Sequence, residues 1–164
     1  MATEIRSRQP DDLPACVSAL KEVHAKDGYP VEGVADALGW LTPPGLTAAW
    51  IAEVDGRLVG HALVSEPREE EAVQLWHQQS DQAAKVLARL FVLPEARGAR
   101  IGELLTLAAT KRAKERGQRL VLDVMEKDRS AIRLYQRLGW VALGAISHKV
   151  GGQTVAARAY VSPP

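Results

Sequence analysis

The stretch that decides the fold is Leu87-Ala88-Arg89-Leu90-Phe91-Val92-Leu93-Pro94-Glu95-Ala96-Arg97-Gly98-Ala99-Arg100-Ile101-Gly102-Glu103-Leu104-Leu105, the start of a patterned run that continues to Trp140. Val86 to Leu93 is nearly continuous apolar sequence broken by Arg89, as a central buried strand would be, and Pro94 stops it. The basic loop from Arg97 to Gly102 then opens a helix. Its apolar stripe is Ile101, Leu104, Leu105 and Ala108, with Glu103, Thr106, Thr110, Lys111 and Lys114 elsewhere. Gly117 follows the last turn as a C-cap. Leu120 to Val124 is a second buried strand, and the helical crossover makes the two strands parallel neighbours. Asp128 or Ser130 can cap the next helix, which carries Ala131, Leu134, Tyr135 and Leu138 on one face and ends at Gly139. A cationic, glycine-relaxed loop at a helix start is an anion site, because free N–H groups point outward there and the helix dipole favours negative charge. A phosphate-bearing ligand is therefore the first expectation.

The flanking sequence supplies the rest of a mixed sheet. Ala2 to Arg8 reads as a first strand, and Leu13, Cys16, Val17, Leu20 and His24 follow helical spacing. Lys26 to Thr47 is rich in Gly and Pro, with room for a short helix around Val34 to Leu41. Ala49 to Val54 and Arg57 to Val64 flank Asp55-Gly56, a strong hairpin signal because Gly supplies the positive φ of a tight turn. Pro67 to Lys85 is a polar excursion whose middle, Glu69 to Gln79, suits a helix. Val141 to Val150 and Thr154 to Val161 form a last hairpin around Gly151-Gly152. The expected fold is α/β (α+β, mixed sheet), with about seven mostly antiparallel strands, a central parallel pair and about four helices, in a single domain over residues 1–164.

Bulk composition narrows the function classes. A chain of 164 residues with 46% apolar and 25% charged residues suits one globular domain. A net charge of +1, with basic residues not interleaved with exposed aromatics, argues against nucleic acid as a partner. No run reaches the roughly 18 apolar residues a membrane span needs. Met1 to Arg8 is polar, unlike a signal peptide. The lone Cys16 rules out an internal disulfide, and the four His are scattered without metal-ligand spacing. A cytoplasmic, metal-free protein is expected.

The loop and helix from Leu90 to Leu105 resemble the acyl-CoA-binding motif of the GNAT superfamily of N-acyltransferases. Asp128-Arg129-Ser130-Ala131-Ile132-Arg133-Leu134-Tyr135-Gln136-Arg137-Leu138-Gly139-Trp140 looks like that family's later motif, and the Asp55-Gly56 hairpin matches its layout. The resemblance implies an acetyl-CoA-dependent N-acetyltransferase. The pyrophosphate would lie on the N–H groups of Arg97, Gly98, Ala99, Arg100, Ile101, Gly102 and Glu103. The pantetheine arm would pair with Leu90, Phe91 and Val92, with the Val92 N–H polarising the thioester carbonyl. Asp128 and Ala131, at the start of the last helix, fall on the cofactor side. Asp128 stands where the family often has Asn; an ionised Asp can only accept, so it suits a helix cap better than a ligand. Tyr135 takes the position of the general acid that meets the departing sulfur. A phenol is a weaker acid than a thiol, with pKa about 10 against about 8.5, so a hydrogen bond to the developing thiolate is most of the expected effect.

Arg100 departs from the family's loop, which has glycine there. It can still present its N–H if its φ is negative and its side chain swings out, and its guanidinium can add a phosphate contact. No general base stands out: Glu53, His61, Glu66, Glu71 and His77 are all ordinary strand or surface candidates, and a water relay would suffice. The acceptor site falls on the segments after the first helix and in the excursion. Tyr29, Trp40, Trp76 and His77 are its candidate residues, suited to an apolar or aromatic amine, although the tryptophans serve equally well as covers for the core. The leading expectation is acetylation of a primary amine on a small or amino-acid-like molecule. Protein N-terminal or lysine acetylation is the alternative, and a non-catalytic CoA-binding regulatory module is the reading from another class. Family members are often dimers, which keeps a homodimer among the partners.

Overall fold

The structure, a computed structural model, describes residues 2–150 and 152–164, and for Val150 the backbone only. Its elements in chain order are β1 (Thr3–Ser7), α1 (Leu13–Asp27), α2 (Ala37–Leu41), β2 (Leu46–Val54), β3 (Arg57–Ser65), α3 (Glu71–His77), β4 (Ala84–Val92), α4 (Ile101–Glu115), β5 (Arg119–Met125), α5 (Arg129–Arg137), β6 (Val141–Val150) and β7 (Gln153–Val161). Among the described residues this makes a seven-stranded mixed sheet of order β1-β2-β3-β4-β5-β7-β6, with β4 and β5 as its parallel pair. Of the five helices among the described residues, the two short ones, α2 and α3, lie in the Gly/Pro-rich segment and the polar excursion, inside the stretches where the sequence left room for a helix.

The chain forms two compact units and passes between them at Ser65/Glu66 after β3, at Leu87/Ala88 within β4 and at Ala109/Thr110 within α4. The first holds the chain up to Ser65 together with Ala88–Ala109. Here β1 pairs antiparallel with β2 and β2 with β3. Asp55 at φ 51° and Gly56 at φ 82° form the tight turn that matches the twist of the β2–β3 hairpin. Residues 59–65 of β3 are buried without a break, as in a central strand. Gly60 sits where α4 comes closest. A Cβ there would lie 3.0 Å from Ile101 Cγ2 and 3.1 Å from Leu105 Cδ1, so the missing side chain lets the helix start press on the strand.

In the second unit, Glu66–Leu87 and Thr110–Pro164, β4 meets β5 in parallel register at Ala84↔Arg119, Lys85↔Leu120 and Val86↔Val121. β5 continues antiparallel onto β7, and β7 onto β6. Gly117 at φ 65° ends α4, with the Gln118 N–H donating to the Ala113 carbonyl in a Schellman pattern. Arg119 ties down the chain end, donating from Nε and Nη2 to the Ser162 carbonyl at 2.9 and 2.6 Å. Of the expected Gly151-Gly152 turn, Gly151 lies outside the described residues and Gly152 has φ 81°.

Two helical faces differ from the sequence expectation. On α4 the buried face is wider than the apolar stripe: Glu103, Thr106 and Thr110 are buried, whereas Leu104 and Ala108 are half-buried. Thr106 is accommodated because its hydroxyl donates to the Gly102 carbonyl one turn back. On α5 the buried pair is Ile132 and Tyr135, three residues apart, with Ala131, Leu134 and Leu138 half-buried.

Candidate active site

The basic loop and the second half of β4 belong to the first unit. After Pro94 a single 3-10 turn leads to Arg97, and α4 starts at Ile101. The N–H groups of Gly98, Ala99 and Arg100 donate to no acceptor among the described residues. They lead directly into the first turn of a 15-residue helix, at the positive end of its dipole. That donor set fits a pyrophosphate.

Arg100 corrects the sequence expectation. Its φ is +61°, not negative, and its side chain folds back onto the buried carboxylate of Glu103 instead of swinging out. The turn into α4 demands the left-handed conformation that glycine adopts freely, and the arginine takes it at a cost of about 1–2 kcal/mol. The ion pair with Glu103, three residues on, fixes the side chain. Arg97 is also engaged: its Nη2 lies 2.5 Å from Asp27 Oδ2 at the end of α1 and donates to the Val92 carbonyl at 3.2 Å.

Within β4, Arg89 is held at φ +57°, a second left-handed arginine. The next strand residues return to ladder geometry, since the Leu93 N–H donates to the Val59 carbonyl on β3 at 2.8 Å. Alternation along a strand then turns the Val92 N–H to the opposite edge. The carbonyl of Arg89 accepts a hydrogen bond from His61 Nδ1–H at 2.9 Å. His61 is fully buried, at 0% exposure, and its ring stacks on Phe91 at 5.1 Å. Its other nitrogen, Nε2, accepts from Arg8 Nη1–H at 2.9 Å, and the same Arg8 nitrogen donates to the Leu41 carbonyl. These partners fix the neutral Nδ1–H tautomer. Burial, with the nearby Arg8 and Arg89 charges, pushes the imidazole down to about 4.

The candidate bases divide on this geometry. His61 has no lone pair free to take a proton, because Arg8 occupies Nε2. Glu53 is ion-paired with Arg6 at 2.5 Å, and Glu66 with Lys85. His77 Nδ1 is bonded to the Ser80 carbonyl at 3.0 Å. Glu71 is exposed in the first turn of α3.

Of the four acceptor candidates, Tyr29 and Trp40 come together in the first unit, their rings 5.7 Å apart and edge to face. Trp40 also reaches Phe91, at 6.2 Å, and donates from Nε1 to Glu32 at 3.0 Å. The Arg89 guanidinium lies over the Trp40 ring, 4.6 Å from its centre. Trp76 and His77 stand on α3 in the second unit. Trp76 is buried there, donating to the Gln82 carbonyl with the Arg119 guanidinium stacked 4.8 Å away, which is the packing of a core cover. Arg8, His61 and Arg89 are the residues that sequence reasoning passed over as a group. The one signal was Arg89 itself, a charge interrupting a strand.

Tyr135 also belongs to the second unit. It is 6% exposed and packs against Trp140 at 5.4 Å and Tyr160 at 6.4 Å. Burial, then the charges of Asp128 and Asp123, raises its phenol well above the ordinary value. The group therefore stays protonated, as a hydrogen-bond donor. Asp128 occupies the N-cap position of α5, and its carbonyl accepts from the Ile132 N–H, but its side chain makes no capping bond. Ala131 is half-buried in the first turn of that helix.

A mixed sheet with one parallel pair, a glycine-like turn into α4 and free N–H groups there are the marks of a cofactor-binding transferase fold. The chain belongs to the Acetyltransferase (GNAT) family, whose profile matches residues 13–140. It is 35% identical over 109 residues to a mycothiol acetyltransferase of Rhodococcus jostii (strain RHA1), a match that spans 63% of this chain and 32% of that relative. Its fold is shared with the ribosomal-protein-alanine N-acetyltransferase of Brucella melitensis, at TM-score 0.73 and 20% identity over 97% of this chain and 98% of the other. NAA60 of Arabidopsis thaliana, solved in complex with acetyl-CoA, gives TM-score 0.73 and 19% identity over 98% and 97% of the two chains. Among the described residues no helix is long and apolar enough to cross a membrane.

Proposed function

We propose that the chain acts as one acetyltransferase domain over residues 1–164, moving the acetyl group of acetyl-CoA to a primary amine of a small or amino-acid-like molecule. The observation that carries this reading is the turn into α4, where free N–H groups at Gly98, Ala99 and Arg100 meet a helix start within the family's matched span. Bound acetyl-CoA would supply the activated thioester. The loop N–H groups hold its pyrophosphate, and Leu90, Phe91 and Val92 offer a strand edge to the pantetheine arm. The Val92 N–H polarises the carbonyl as the amine nitrogen attacks. The C–S bond then breaks and the Tyr135 hydroxyl donates a hydrogen bond to the departing sulfur. With its acidity lowered by burial, Tyr135 stabilises the thiolate without surrendering its proton. The proton lost by the amine leaves through water, since His61, Glu53 and Glu66 are engaged elsewhere.

The Tyr29–Trp40 pair supports a compact acceptor with an apolar or aromatic portion. A cytoplasmic location goes with this reading and with the buried free thiol of Cys16.

Calorimetric titration with acetyl-CoA tests the cofactor half of the proposal, with saturable one-site binding as the expected result and no binding at millimolar cofactor as the result against it. Turnover of an amine panel tests the chemistry. Tyr135→Phe should lower kcat by about a hundredfold while acetyl-CoA affinity changes little. Equal kcat in the variant would remove the hydroxyl from the reaction.

A further inference from the structure

The guanidinium of Arg89 has an unusual setting for a group that nothing in the fold requires. It is half-buried and rests on the face of Trp40, yet forms no ion pair or hydrogen bond among the described residues. Arg6, Arg57, Arg97, Arg100 and Arg158 all meet carboxylates. The backbone that presents Arg89 is in the left-handed region, and His61 secures it by holding the carbonyl. Strain of this kind persists only where the surroundings over-determine it, and it collects at binding and catalytic positions. Arg8, the other cation behind this site, is used up by His61 and the Leu41 carbonyl. What remains is a single planar fork of donors, braced on one side by the indole of Trp40, whose ring also meets Tyr29 edge to face.

We propose that Arg89 is a specificity-determining residue that binds the carboxylate of the acceptor, so that the preferred substrate is a free amino acid or a similar amine bearing a carboxylate. The inference rests on the acetyltransferase reading and narrows its acceptor. One guanidinium matches one carboxylate, whose two oxygens accept the two parallel N–H bonds of the fork. A dianionic phosphate would draw on more than one cation, and Arg8 is not free to serve. Position agrees with this role. Arg89 precedes Val92, the proposed carbonyl-polarising residue, by three positions on β4, which places the two backbones within about 10 Å of each other. An arginine side chain and a short amino acid together span such a distance. The Trp40 and Tyr29 rings then face the acceptor's side chain, which favours an apolar or aromatic one. A peptide N-terminus, whose first residue carries no free carboxylate, gains nothing from Arg89.

The test compares L-phenylalanine, L-tryptophan and L-methionine with their carboxamides, which keep the amine and lose the charge, and includes a tripeptide beginning with phenylalanine. The wild-type enzyme should prefer acid over amide in kcat/KM by about tenfold or more, mostly through KM. Arg89→Gln should bring that ratio close to one. Arg89→Gly serves as the second variant, because glycine adopts the φ of +57° without strain and keeps the fold even if glutamine does not. Arg89→Lys should restore the preference only in part, since the charge returns without the planar fork. Equal use of acid and amide by the wild type would overturn the proposal, as would a preference that survives in Arg89→Gly. If the tripeptide is acetylated and no free amine is, the small-molecule reading fails and the proposal falls with it. If small amines are acetylated without regard to their carboxylates, that reading stands and only the role of Arg89 is lost.

Discussion

Two arginines occupy glycine-like backbone in the first unit, Arg89 at φ +57° within β4 and Arg100 at φ +61° at the start of α4. Both accept the same conformational cost, of order 1–2 kcal/mol, yet they use it differently. Arg100 turns its charge inward, onto Glu103 in its own helix. Arg89 turns its charge onto an aromatic face and leaves its donors unpaired. The first arrangement neutralises a loop that already has backbone donors for an anion. The second keeps a side-chain cation in reserve. Adjacent residues of β3 support the two turns from opposite faces of the strand: Gly60 lies under the start of α4, and His61 holds the Arg89 carbonyl.

Breaking the support beneath Arg89 should have the largest effect. His61→Ala removes a buried ring, leaves an Arg8 donor and the Arg89 carbonyl without their partner, and opens a cavity against Phe91. A loss of about 4 kcal/mol is expected in urea unfolding, together with loss of any acid preference. A loss below about 1 kcal/mol would mean that the His61 contacts do not hold the strand.

Protonation should break the same support reversibly. The folded imidazole is pushed down to about 4, whereas an unfolded histidine titrates near 6.5. As pH falls, the unfolded state therefore binds the proton first. The stabilisation is complete above about pH 6.5, declines as pH drops and is gone below about pH 4, amounting to about 3 kcal/mol. In His61→Gln the slope of stability between these values should flatten. Asp12, held below the ordinary carboxylate range by Arg6, loses its contribution only at lower pH, so the two windows separate. An unchanged slope in the variant would assign the acid sensitivity to other groups.

Under Arg100 the corresponding change is Gly60→Ala. The new methyl would meet Ile101 and Leu105 at 3.0 and 3.1 Å, so the first turn of α4 must shift or the side chains must repack. About 2 kcal/mol of destabilisation is expected, with weaker acetyl-CoA binding because the loop donors move with the helix. Wild-type affinity in this variant would show that the loop tolerates displacement of its helix.

How much of this was legible in sequence follows from the kind of signal each part leaves. The hairpin at Asp55-Gly56 was readable because one dipeptide carries the turn chemistry between two apolar runs, and the β4–α4–β5 crossover because its apolar periods are long. The sign of φ at Arg100 was not readable. A side chain does not report its own backbone conformation, and the Glu103 partner that folds it back looked like an ordinary first-turn acid. The Arg8–His61 contact joins residues 53 positions apart and has no periodicity to announce it. Trp40 and Trp76 looked alike as isolated aromatics in breaker-rich segments, but one carries Arg89 on its face and the other is sealed by Gln82 and Arg119.

The smallest stability effects should come from the arginines themselves, and there the contrast is sharpest. Arg89→Gly and Arg100→Gly each relieve left-handed strain of about 1 kcal/mol. The first gives up a cation–π contact and the second an ion pair whose arginine is 75% exposed, interactions of similar size. Unfolding free energies should therefore change by less than about 1 kcal/mol in both. Their ligand effects should separate. Arg89→Gly moves the acid-to-amide preference, because it removes the only part of that residue proposed to meet the acceptor. Arg100→Gly moves the acetyl-CoA dissociation constant upward several-fold: the loop N–H groups remain, but the Glu103 carboxylate at the helix start loses the arginine that offsets its charge against an incoming phosphate. Calorimetry with acetyl-CoA and kinetics with the acid–amide pairs read the two effects independently. If both variants lost acetyl-CoA affinity and kept the acid preference, the two arginines would belong to one anion site, and the division between an inward and a reserved cation would be wrong.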